Sequence, residues 1–231
     1  MPVMIPSLRK TDYRAAQNVD VFLANSTEVQ ARIKKYYNMQ SVVLHPPVDV
    51  QRFHPSKDRG DHFVVLSRQV PYKRIDLAVA ACTELGLPLK VFGNGSEHSK
   101  LVAAAGPTVE FYTDRKSDAS DKAVTKALET AKGFIFPAEE DFGIVTVEAL
   151  AAGAPVVAYG KGGVLDSISD GVTGVLFAKQ TTDSLVAALM ALESQKFLVT
   201  NLRNRAKRFD ESLFITKLRV IVQQAYERSQ S

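Results

Sequence analysis

The stretch from Phe134 to Gly153, FIFPAEEDFGIVTVEALAAG, decides the predicted fold of this chain. A short apolar run, Gly133–Phe136, leads into an acidic loop and then into a longer apolar segment, Ile144–Ala152. A short continuous apolar run is typical of a strand that is covered on both faces. Gly153 follows the apolar segment, at the position where a left-handed glycine commonly ends a helix. The stretch therefore predicts a buried strand, a loop and a buried helix.

The same alternation continues on both sides of this stretch. The other predicted strands of this region are His62–Leu66, Leu89–Phe92, Val109–Phe111, Pro155–Ala158 and Val175–Phe177. The helices predicted between and after them are Arg74–Leu85, Glu97–Ala104, Ser120–Ala131 and Asp183–Leu192. Strands that alternate with helices indicate βαβ units, so the sequence predicts an α/β fold with a parallel sheet.

The two ends of the chain are predicted to lie outside this alternation. A short strand, Asp20–Ala24, precedes a helix whose start pairs Asn25 with Glu28 at capping-box spacing. The apolar face of that helix is predicted to carry Val29, Ile33, Tyr36 and Tyr37. The remaining predicted elements are the strand Val42–Leu44, the proline-stiffened linker His45–Asp49 and the helices Thr200–Phe209 and Glu211–Arg228. We therefore divide the chain into residues 1–48, 49–199 and 200–231.

Composition excludes several classes of protein. The 231 residues are 45% hydrophobic and 23% charged, which indicates a globular chain and excludes disorder, collagen and a coiled-coil rod. Cys82 is the only cysteine and the four histidines lack metal-ligand spacing, so we expect neither a disulfide nor a metal site. The net charge, 29 − 25 = +4, is too small to indicate nucleic acid but suits a partner that carries phosphates or an anionic membrane surface. Apolar runs are too short to span a bilayer, and the N-terminal sequence has no apolar core of signal-peptide length. The single cysteine fits a reducing cytoplasm.

The acidic loop and the helix after it carry the first candidate site. The predicted helix is apolar except for Thr146 and Glu148, so it is expected to be buried. An ionised carboxylate on a buried helix is costly unless it is hydrogen-bonded. Either two adjacent ligand hydroxyls, as on a ribose, or a core arginine or lysine would satisfy Glu148. The backbone N–H groups of Phe142, Gly143 and Ile144 lie at the predicted helix start, where an anion is favoured.

Three further loops follow predicted strands, at the edge where open α/β sheets bind ligands. Arg68 and Lys73 in the first loop suit a phosphate, and a solvated basic loop is the alternative. Gly93 and Gly95 in the second loop let the backbone approach a ligand. The third loop, Gly160–Gly163, either wraps a phosphate or is a flexible turn.

Two other patterns bear on function. A dinucleotide-dependent oxidoreductase is disfavoured, because the Gly-x-Gly-x-x-Gly fingerprint that begins at Gly93 would need a glycine where His98 stands. The basic clusters Arg32–Lys35 and Arg203–Arg208 are predicted to be solvated helix faces, with contact to a membrane surface as the alternative.

Four motifs occur in a fixed order along the chain. Glu140 and Glu148 bracket seven residues and are followed by Ala-Leu-Ala-Ala-Gly. Upstream, Ser67–Lys73 has the pattern Ser-Arg-x-Val-Pro-x-Lys. Downstream stand the glycine pair Gly162–Gly163 and the sequence Asp-Gly-Val-Thr-Gly at Asp170–Gly174.

Together these motifs resemble the retaining GT-B glycosyltransferases of family four, or group 1, which act on nucleotide sugars. The resemblance covers the chain from Asp12 to about Leu192. The segments VPYKRID (residues 70–76) and PAEEDFG (residues 137–143) are most similar to those of bacterial O-antigen-type mannosyltransferases. The resemblance implies a Rossmann-like, doubly wound parallel sheet, the C-terminal half of a GT-B fold, with a remnant of the N-terminal domain.

The resemblance also implies a role for each matching residue. Arg68 and Lys73 would hold the donor diphosphate and stabilise the departing nucleotide, and Glu148 would bind the ribose. Glu140 would lie against the transferred sugar, so the implied catalytic residues are Glu140, Arg68 and Lys73. The implied donor-binding residues are Arg68, Lys73, Gly93, Gly95, Glu140, Phe142, Gly143, Ile144 and Glu148. No metal and no cofactor are implied beyond the donor itself, for which GDP-mannose is favoured over a UDP-sugar.

The implied activity is transfer of a sugar, mannose favoured, to a glycan or lipid-linked acceptor. We expect this chain to be the donor-binding part, inactive alone and completed by a missing N-terminal domain, in the cytoplasm or at the inner face of the cytoplasmic membrane. Two departures from the pattern are Asp166, where the family often has glutamate, and the long hydrophilic loop Thr113–Asp121, which leaves base recognition open. The alternatives are a non-catalytic nucleotide-sugar binding module and a GT-B nucleotide-sugar epimerase.

Overall fold

Helices and strands alternate along most of the chain in the computed structural model, which describes residues 4–230. In chain order the elements are α1 (Met4–Ala16), β1 (Phe22–Ala24), α2 (Thr27–Tyr37), β2 (Ser41–Val43), β3 (Phe63–Leu66), α3 (Ile75–Leu85), β4 (Leu89–Phe92), α4 (His98–Ala104), β5 (Val109–Tyr112), α5 (Asp121–Thr130), β6 (Gly133–Phe136), α6 (Ile144–Ala151), β7 (Val156–Tyr159), β8 (Gly174–Phe177), α7 (Thr182–Glu193), α8 (Val199–Ala206) and α9 (Glu211–Gln230). Residues 1–3 and 231, which the predicted outer domains include, lie outside the described residues.

Strands β3 to β8 form one parallel sheet in the order β5-β4-β3-β6-β7-β8. Neighbouring strands pair residue by residue, for example Val65 with Val91 and Ile135 with Val157. The strand order reverses between β3 and β6, which is the topological switch point of a Rossmann-like, doubly wound sheet. The predicted α/β fold class is therefore confirmed, and the observed bounds of each strand in this sheet differ from the predicted ones by at most one residue.

Two apolar clusters cover the two faces of the sheet. Strand β3 shows the division, because Phe63 and Val65 belong to one cluster and Val64 to the other. The first cluster packs the sheet against α3, α4 and α7 and includes the fully buried Leu189. The second packs it against α5, α6 and α8 and includes the fully buried Leu150. Both faces are thus buried, as the continuous apolar runs predict.

Two local predictions about helix α2 are wrong. Its N-cap is Ser26, whose hydroxyl accepts a hydrogen bond from the backbone N–H of Val29, rather than Asn25. Ser26 has extended backbone angles, which place its side chain below the first helical turn. Tyr36, assigned to the apolar face, is 61% exposed, whereas Ile33 is buried. Helix α1 is absent from the predicted elements altogether.

Two arginines of the second basic cluster, Arg203 and Arg205, are structural ties, whereas Lys207 and Arg208 of the same cluster are exposed as predicted. Arg203 donates from Nη1 to the carbonyl oxygen of Phe53 at 3.1 Å. Arg205 donates from Nε and Nη2 to the carbonyl oxygens of Ser167 and Asp166, at 2.9 and 2.7 Å. The prediction is therefore wrong for these two arginines, because their guanidinium groups supply donors to loop carbonyls that lack partners in helices or strands.

The last helix begins beside the N-terminal segment. Leu213 and Phe214, in the first turn of α9, line a small cavity together with Leu44 and His45. Further along α9 most side chains are exposed, and Tyr226 is 61% exposed. Within residues 4–230, no helix combines the length and the apolar character that crossing a membrane requires. The division of the chain at residues 48 and 199 stays a prediction.

We expect Leu189→Ala to lower the free energy of unfolding by about 2–5 kcal/mol, because it leaves a cavity at a fully buried position on the inner face of α7. The matched control is Met190→Ala, one residue further along the same helix, where the side chain is 58% exposed. That change is expected to alter the free energy by less than about 0.5 kcal/mol. Urea titrations measure both values, and equal destabilisation by the two changes would contradict this orientation of α7.

Candidate functional site

A cavity of about 1000 Å³ lies at the carboxyl edge of the sheet. The loops after β3, β4, β5 and β6 line it, together with residues of the linker region. These strands flank the switch point, which is where doubly wound sheets bind ligands. The predicted site residues that line the cavity are Arg68, Lys73, Gly93, Glu140, Phe142, Gly143, Ile144 and Glu148. The structure thus brings the acidic loop, the basic loop and Gly93 of the second loop to one cavity, whereas the third loop, Gly160–Gly163, stands outside its lining.

The two predicted phosphate-binding cations lie in the loop after β3. Lys73 ends a 3-10 turn, Pro71–Lys73, and its Nζ pairs with Oε1 of Glu140. The two side chains are only 14% and 22% exposed. The Arg68 guanidinium donates to the phenol oxygen of Tyr72 at 3.2 Å. A phosphate beside this loop would therefore contact Lys73, which is already paired with a carboxylate, and Arg68, whose partner is neutral.

The glycine loop after β4 packs tightly against the basic loop. Gly93 has a φ of +115°, and a Cβ at this position would lie 2.1 Å from the carbonyl oxygen of Ser67. The buried Gln69 donates from Nε2 to the carbonyl oxygen of Gly93 at 2.6 Å. A Cβ on Gly95 would lie 2.3 Å from the Gln69 carbonyl oxygen. Gly95 stands outside the cavity lining that the described residues form, and its contact with a donor stays a prediction.

Helix α6 directs its N-terminal end into the cavity. Gly143 precedes the helix with a φ of +82°, and a Cβ on it would lie 2.7 Å from the ring of Phe136. Unpaired N–H groups and the helix dipole make such an end attractive to an anion. The first residue, Ile144, is 44% exposed. The prediction of a helix buried all round is therefore wrong at this residue, because it lines the cavity rather than the core.

The glycine pair after β7 supports the acidic loop. The N–H of Gly163 donates to the carbonyl oxygen of Glu140 at 2.8 Å. A Cβ on Gly163 would lie 1.9 Å from the carbonyl oxygen of Asp141, and one on Gly162 would lie 2.5 Å from that of Glu140. The Asp141 carboxylate pairs with Arg32 of α2, which is half exposed. The acidic loop is thus held on both sides by close contacts.

Glu148 faces the cavity, and its charge partner is an arginine whose side chain is 41% exposed rather than buried in the core. Its carboxylate lines the cavity, and Oε1 accepts a hydrogen bond from Nη2 of Arg52 at 2.6 Å. Its side chain is 16% exposed. Burial raises the pKa of Glu148, the charge of Arg52 acts to lower it, and the nearby Asp121 acts to raise it further. The net shift is upward, so burial outweighs the arginine.

Sequence reasoning misses several residues of the cavity. They are Asn25, Pro46, Arg52, Tyr72, Asn94, Thr113, Arg115 and Asp121. A signal exists for Arg115 and Asp121, because they stand in the long hydrophilic loop that follows a predicted strand. Nothing in the sequence singles out Arg52, whose partner lies 96 residues further along the chain.

Asp166 ties the N-terminal segment to the loop after β7. Its carboxylate accepts hydrogen bonds from the backbone N–H of Thr27 at 2.7 Å and from the Thr27 hydroxyl. It also lies 3.0 Å from Nε2 of His45, whose ring packs against Phe142 and Phe209. Burial acts to raise the pKa of Asp166, but the hydrogen bonds from Thr27 and His45 outweigh it, and the net pKa is lowered.

The fold and the position of the cavity define a class of protein: a Rossmann-like α/β domain with a cavity at the switch point of its sheet, where such sheets bind ligands. Residues 49–209 match the model of the family described as glycosyl transferases group 1. This match covers more than half of the chain, so the chain belongs to the group 1 glycosyltransferases.

Curated relatives agree with this assignment. An uncharacterized glycosyltransferase of Methanocaldococcus jannaschii is 22% identical over 92% of this chain and 61% of its own length. The GDP-mannose-dependent alpha-(1-6)-phosphatidylinositol monomannoside mannosyltransferase of Mycolicibacterium smegmatis is 28% identical over 80% of this chain and 56% of its own. The chain therefore spans roughly half to three fifths of these relatives.

Solved structures share the fold. Sucrose-phosphate synthase from Thermosynechococcus elongatus has a TM-score of 0.83 and 20% identity, over 96% of this chain and 62% of that one. Anabaena HepE in complex with UDP and glucose has a TM-score of 0.75 and 19% identity, over 96% of this chain and 67% of that one.

We expect Asp166→Asn to lower the free energy of unfolding at pH 7 by roughly 1.5–3 kcal/mol, the range for hydrogen bonds to a charged group. A lowered folded-state pKa stabilises the protein above the ordinary aspartate pKa, and this stabilisation disappears as the pH falls through the lowered value. The difference between wild type and variant should therefore shrink in acid. Urea titrations at pH 7, 5 and 3 measure it, with the exposed Asp58→Asn as control. A difference that is constant over this range would show that the Asp166 charge does not hold the segment.

Proposed function

We propose that this chain binds the nucleotide-sugar donor of a glycosyltransferase. The observation that carries the proposal is the convergence of Arg68, Lys73, the start of α6 and Glu148 in one cavity. A nucleoside diphosphate sugar presents a diphosphate and a ribose diol. Two cations and a helix N-terminus suit the diphosphate, and a buried carboxylate suits the diol.

Glu140, the start of α6 and Glu148 follow one another along the chain, and this order supports the order sugar, diphosphate and ribose for the parts of the donor that they bind. Glu140 precedes the start of α6, and Glu148 lies about one helical turn beyond it. A diphosphate at the helix start would therefore have Glu140 on one side and Glu148 on the other. We assign the ribose to Glu148 and the transferred sugar to Glu140. Arg68 and Lys73 would then stabilise the negative charge that develops on the leaving diphosphate.

For the whole protein we propose transfer of mannose from GDP-mannose to a glycan or lipid-linked acceptor, with retention, in polysaccharide biosynthesis at the cytoplasmic face of the membrane. The Mycolicibacterium smegmatis relative is named as GDP-mannose-dependent, which supports this donor. The Anabaena HepE structure contains UDP and glucose, which supports a nucleoside diphosphate in this fold. The donor base and sugar, the acceptor and the stereochemistry are parts of the proposal.

The direct test is a thermal-shift and calorimetry panel of GDP, UDP, GDP-mannose and UDP-glucose on the wild-type chain and on Arg68→Ala. Wild type should bind GDP more tightly than UDP. Arg68→Ala should weaken diphosphate binding by roughly 1.5–3 kcal/mol, because a charge-assisted contact is lost while the neutral contact to Tyr72 is of little consequence. Unchanged affinity would mean that the basic loop is only a solvated surface.

The two glutamates should separate nucleotide recognition from sugar handling. Glu148→Gln removes the charge that strengthens a hydrogen bond to the ribose, so GDP affinity should fall by a factor of roughly ten or more. Glu140→Gln removes the anion that pairs with Lys73, so GDP affinity should be unchanged or slightly higher. Isothermal titration of GDP and GDP-mannose into each variant measures both effects. Loss of GDP binding in Glu140→Gln alone would reverse the two roles.

A further inference from the structure

We propose that Arg52 is a positioning residue for the nucleotide, holding one oxygen of Glu148 so that the other oxygen is presented to the ribose. The inference rests on the proposed function of Glu148. Its physical basis is the Arg52 guanidinium, which lines the cavity although Arg52 precedes the first strand of the large sheet. Its Nη2 lies 2.6 Å from Oε1 of Glu148.

The backbone of Arg52 is held firmly at the edge of the donor-binding region. Arg52 ends a short 3-10 turn that begins at Val50, and the Asp49 carboxylate accepts from the N–H groups of Gln51 and Arg52. Val50 is buried, and the following Phe53 is fully buried. The guanidinium carbon lies 4.5 Å from the centre of the Phe53 ring. The side chain is thus directed by a turn whose neighbours cannot move freely.

The pair uses only part of the hydrogen-bonding capacity of each group. Nη2 of Arg52 contacts Oε1 of Glu148, and within residues 4–230 no hydrogen bond reaches Oε2. An ionised carboxylate accepts at both oxygens, and a guanidinium carries five N–H donors. A ribose diol can therefore bind Oε2 without displacing the arginine. The contact to Arg52 fixes the rotation of the carboxylate before a ligand arrives.

The surrounding charges explain why Glu148 needs this partner. Arg52 faces it from the linker-side turn and Asp121 from the start of α5, and these two charges act on it in opposite directions. The other charged residues that line the same cavity are Arg68, Lys73, Arg115, Glu139, Glu140 and Asp141. Without Arg52, a buried carboxylate beside Asp121 would take up a proton more readily. A protonated Glu148 would lose the charge that strengthens its contact with a hydroxyl.

A double-mutant cycle with Arg52→Ala and Glu148→Gln tests the proposal, with GDP, UDP and their 2′-deoxy counterparts as ligands for calorimetry between pH 5.5 and 8.5. Arg52→Ala should weaken binding of the ribonucleotide by a factor of roughly ten or more. In the Glu148→Gln background the same change should have little effect. The ratio of wild-type to Arg52→Ala affinity should grow as the pH falls, because the variant's Glu148 protonates at a higher pH. Taking the ratio removes the titration of the ligand phosphates.

Arg52→Lys should restore the pH profile, because the charge remains, and part of the affinity, because the planar fork is lost. The matched control is Arg219→Ala, which removes an exposed arginine of α9 and should leave binding unchanged. Equal losses from Arg52→Ala with and without Glu148→Gln would mean that Arg52 contacts the ligand itself, and tighter binding would mean that it blocks the site. Either result overturns the inference, whereas failure of the wild-type chain to bind any of these nucleotides overturns the proposed function as well.

Discussion

The acidic loop at residues 137–143 is held by backbone contacts that leave no room for a side chain, and the whole cavity depends on this constraint. A Cβ on Gly163 would meet the Asp141 carbonyl oxygen at 1.9 Å, and one on Gly162 would meet that of Glu140 at 2.5 Å. Lys73 pairs with the same loop from the opposite side. The loop in turn determines where helix α6 begins, so the anion-attracting end of that helix has a fixed position before a ligand arrives. A binding group that is positioned in advance does not have to be ordered when the ligand binds.

Two of the cations that line the cavity are each paired with a glutamate. Lys73 pairs with Glu140, and Arg52 with Glu148. Each pair joins a cation on one loop to an anion at the acidic loop or on α6. Such pairs keep partly buried charges satisfied without a ligand. For the proposed donor, a diphosphate would compete with Glu140 for Lys73, whereas a ribose at Oε2 of Glu148 would leave the contact with Arg52 in place.

The sheet could be predicted from the sequence because its strands are continuous apolar runs, as expected for strands that are buried on both faces. The site could be predicted only as far as its groups follow strands or stand at a helix start. Arg52 escapes such reasoning because its partner Glu148 is remote in sequence and no motif connects them. Ile144 is wrongly predicted to be buried, because sequence alone does not distinguish an apolar residue on the cavity wall from one in the core. Arg203 is misassigned for a related reason: in sequence, a cation that donates to a buried-loop carbonyl looks like a cation on a solvated face.

Helix α2 is tied to the sheet domain by polar contacts, whereas the end of the N-terminal segment joins it through apolar ones: Val48 lies in an apolar cluster, and the His45 ring packs against Phe142 and Phe209. The domain is held by two large apolar clusters. The ties to helix α2 are polar, namely Thr27 to Asp166 and Arg32 to Asp141. The Arg32 pair is about half exposed, and exposed pairs contribute little to stability. The Asp166 carboxylate is better shielded from solvent and accepts two hydrogen bonds from Thr27. It should therefore contribute more than the Arg32 pair to holding α2 on the domain. Asp141 belongs to the acidic loop that lines the cavity, so the exposed Arg32 pair links α2 directly to the candidate site. The Asp166 contacts reach that loop only through the preceding glycine pair, Gly162–Gly163, which packs against it.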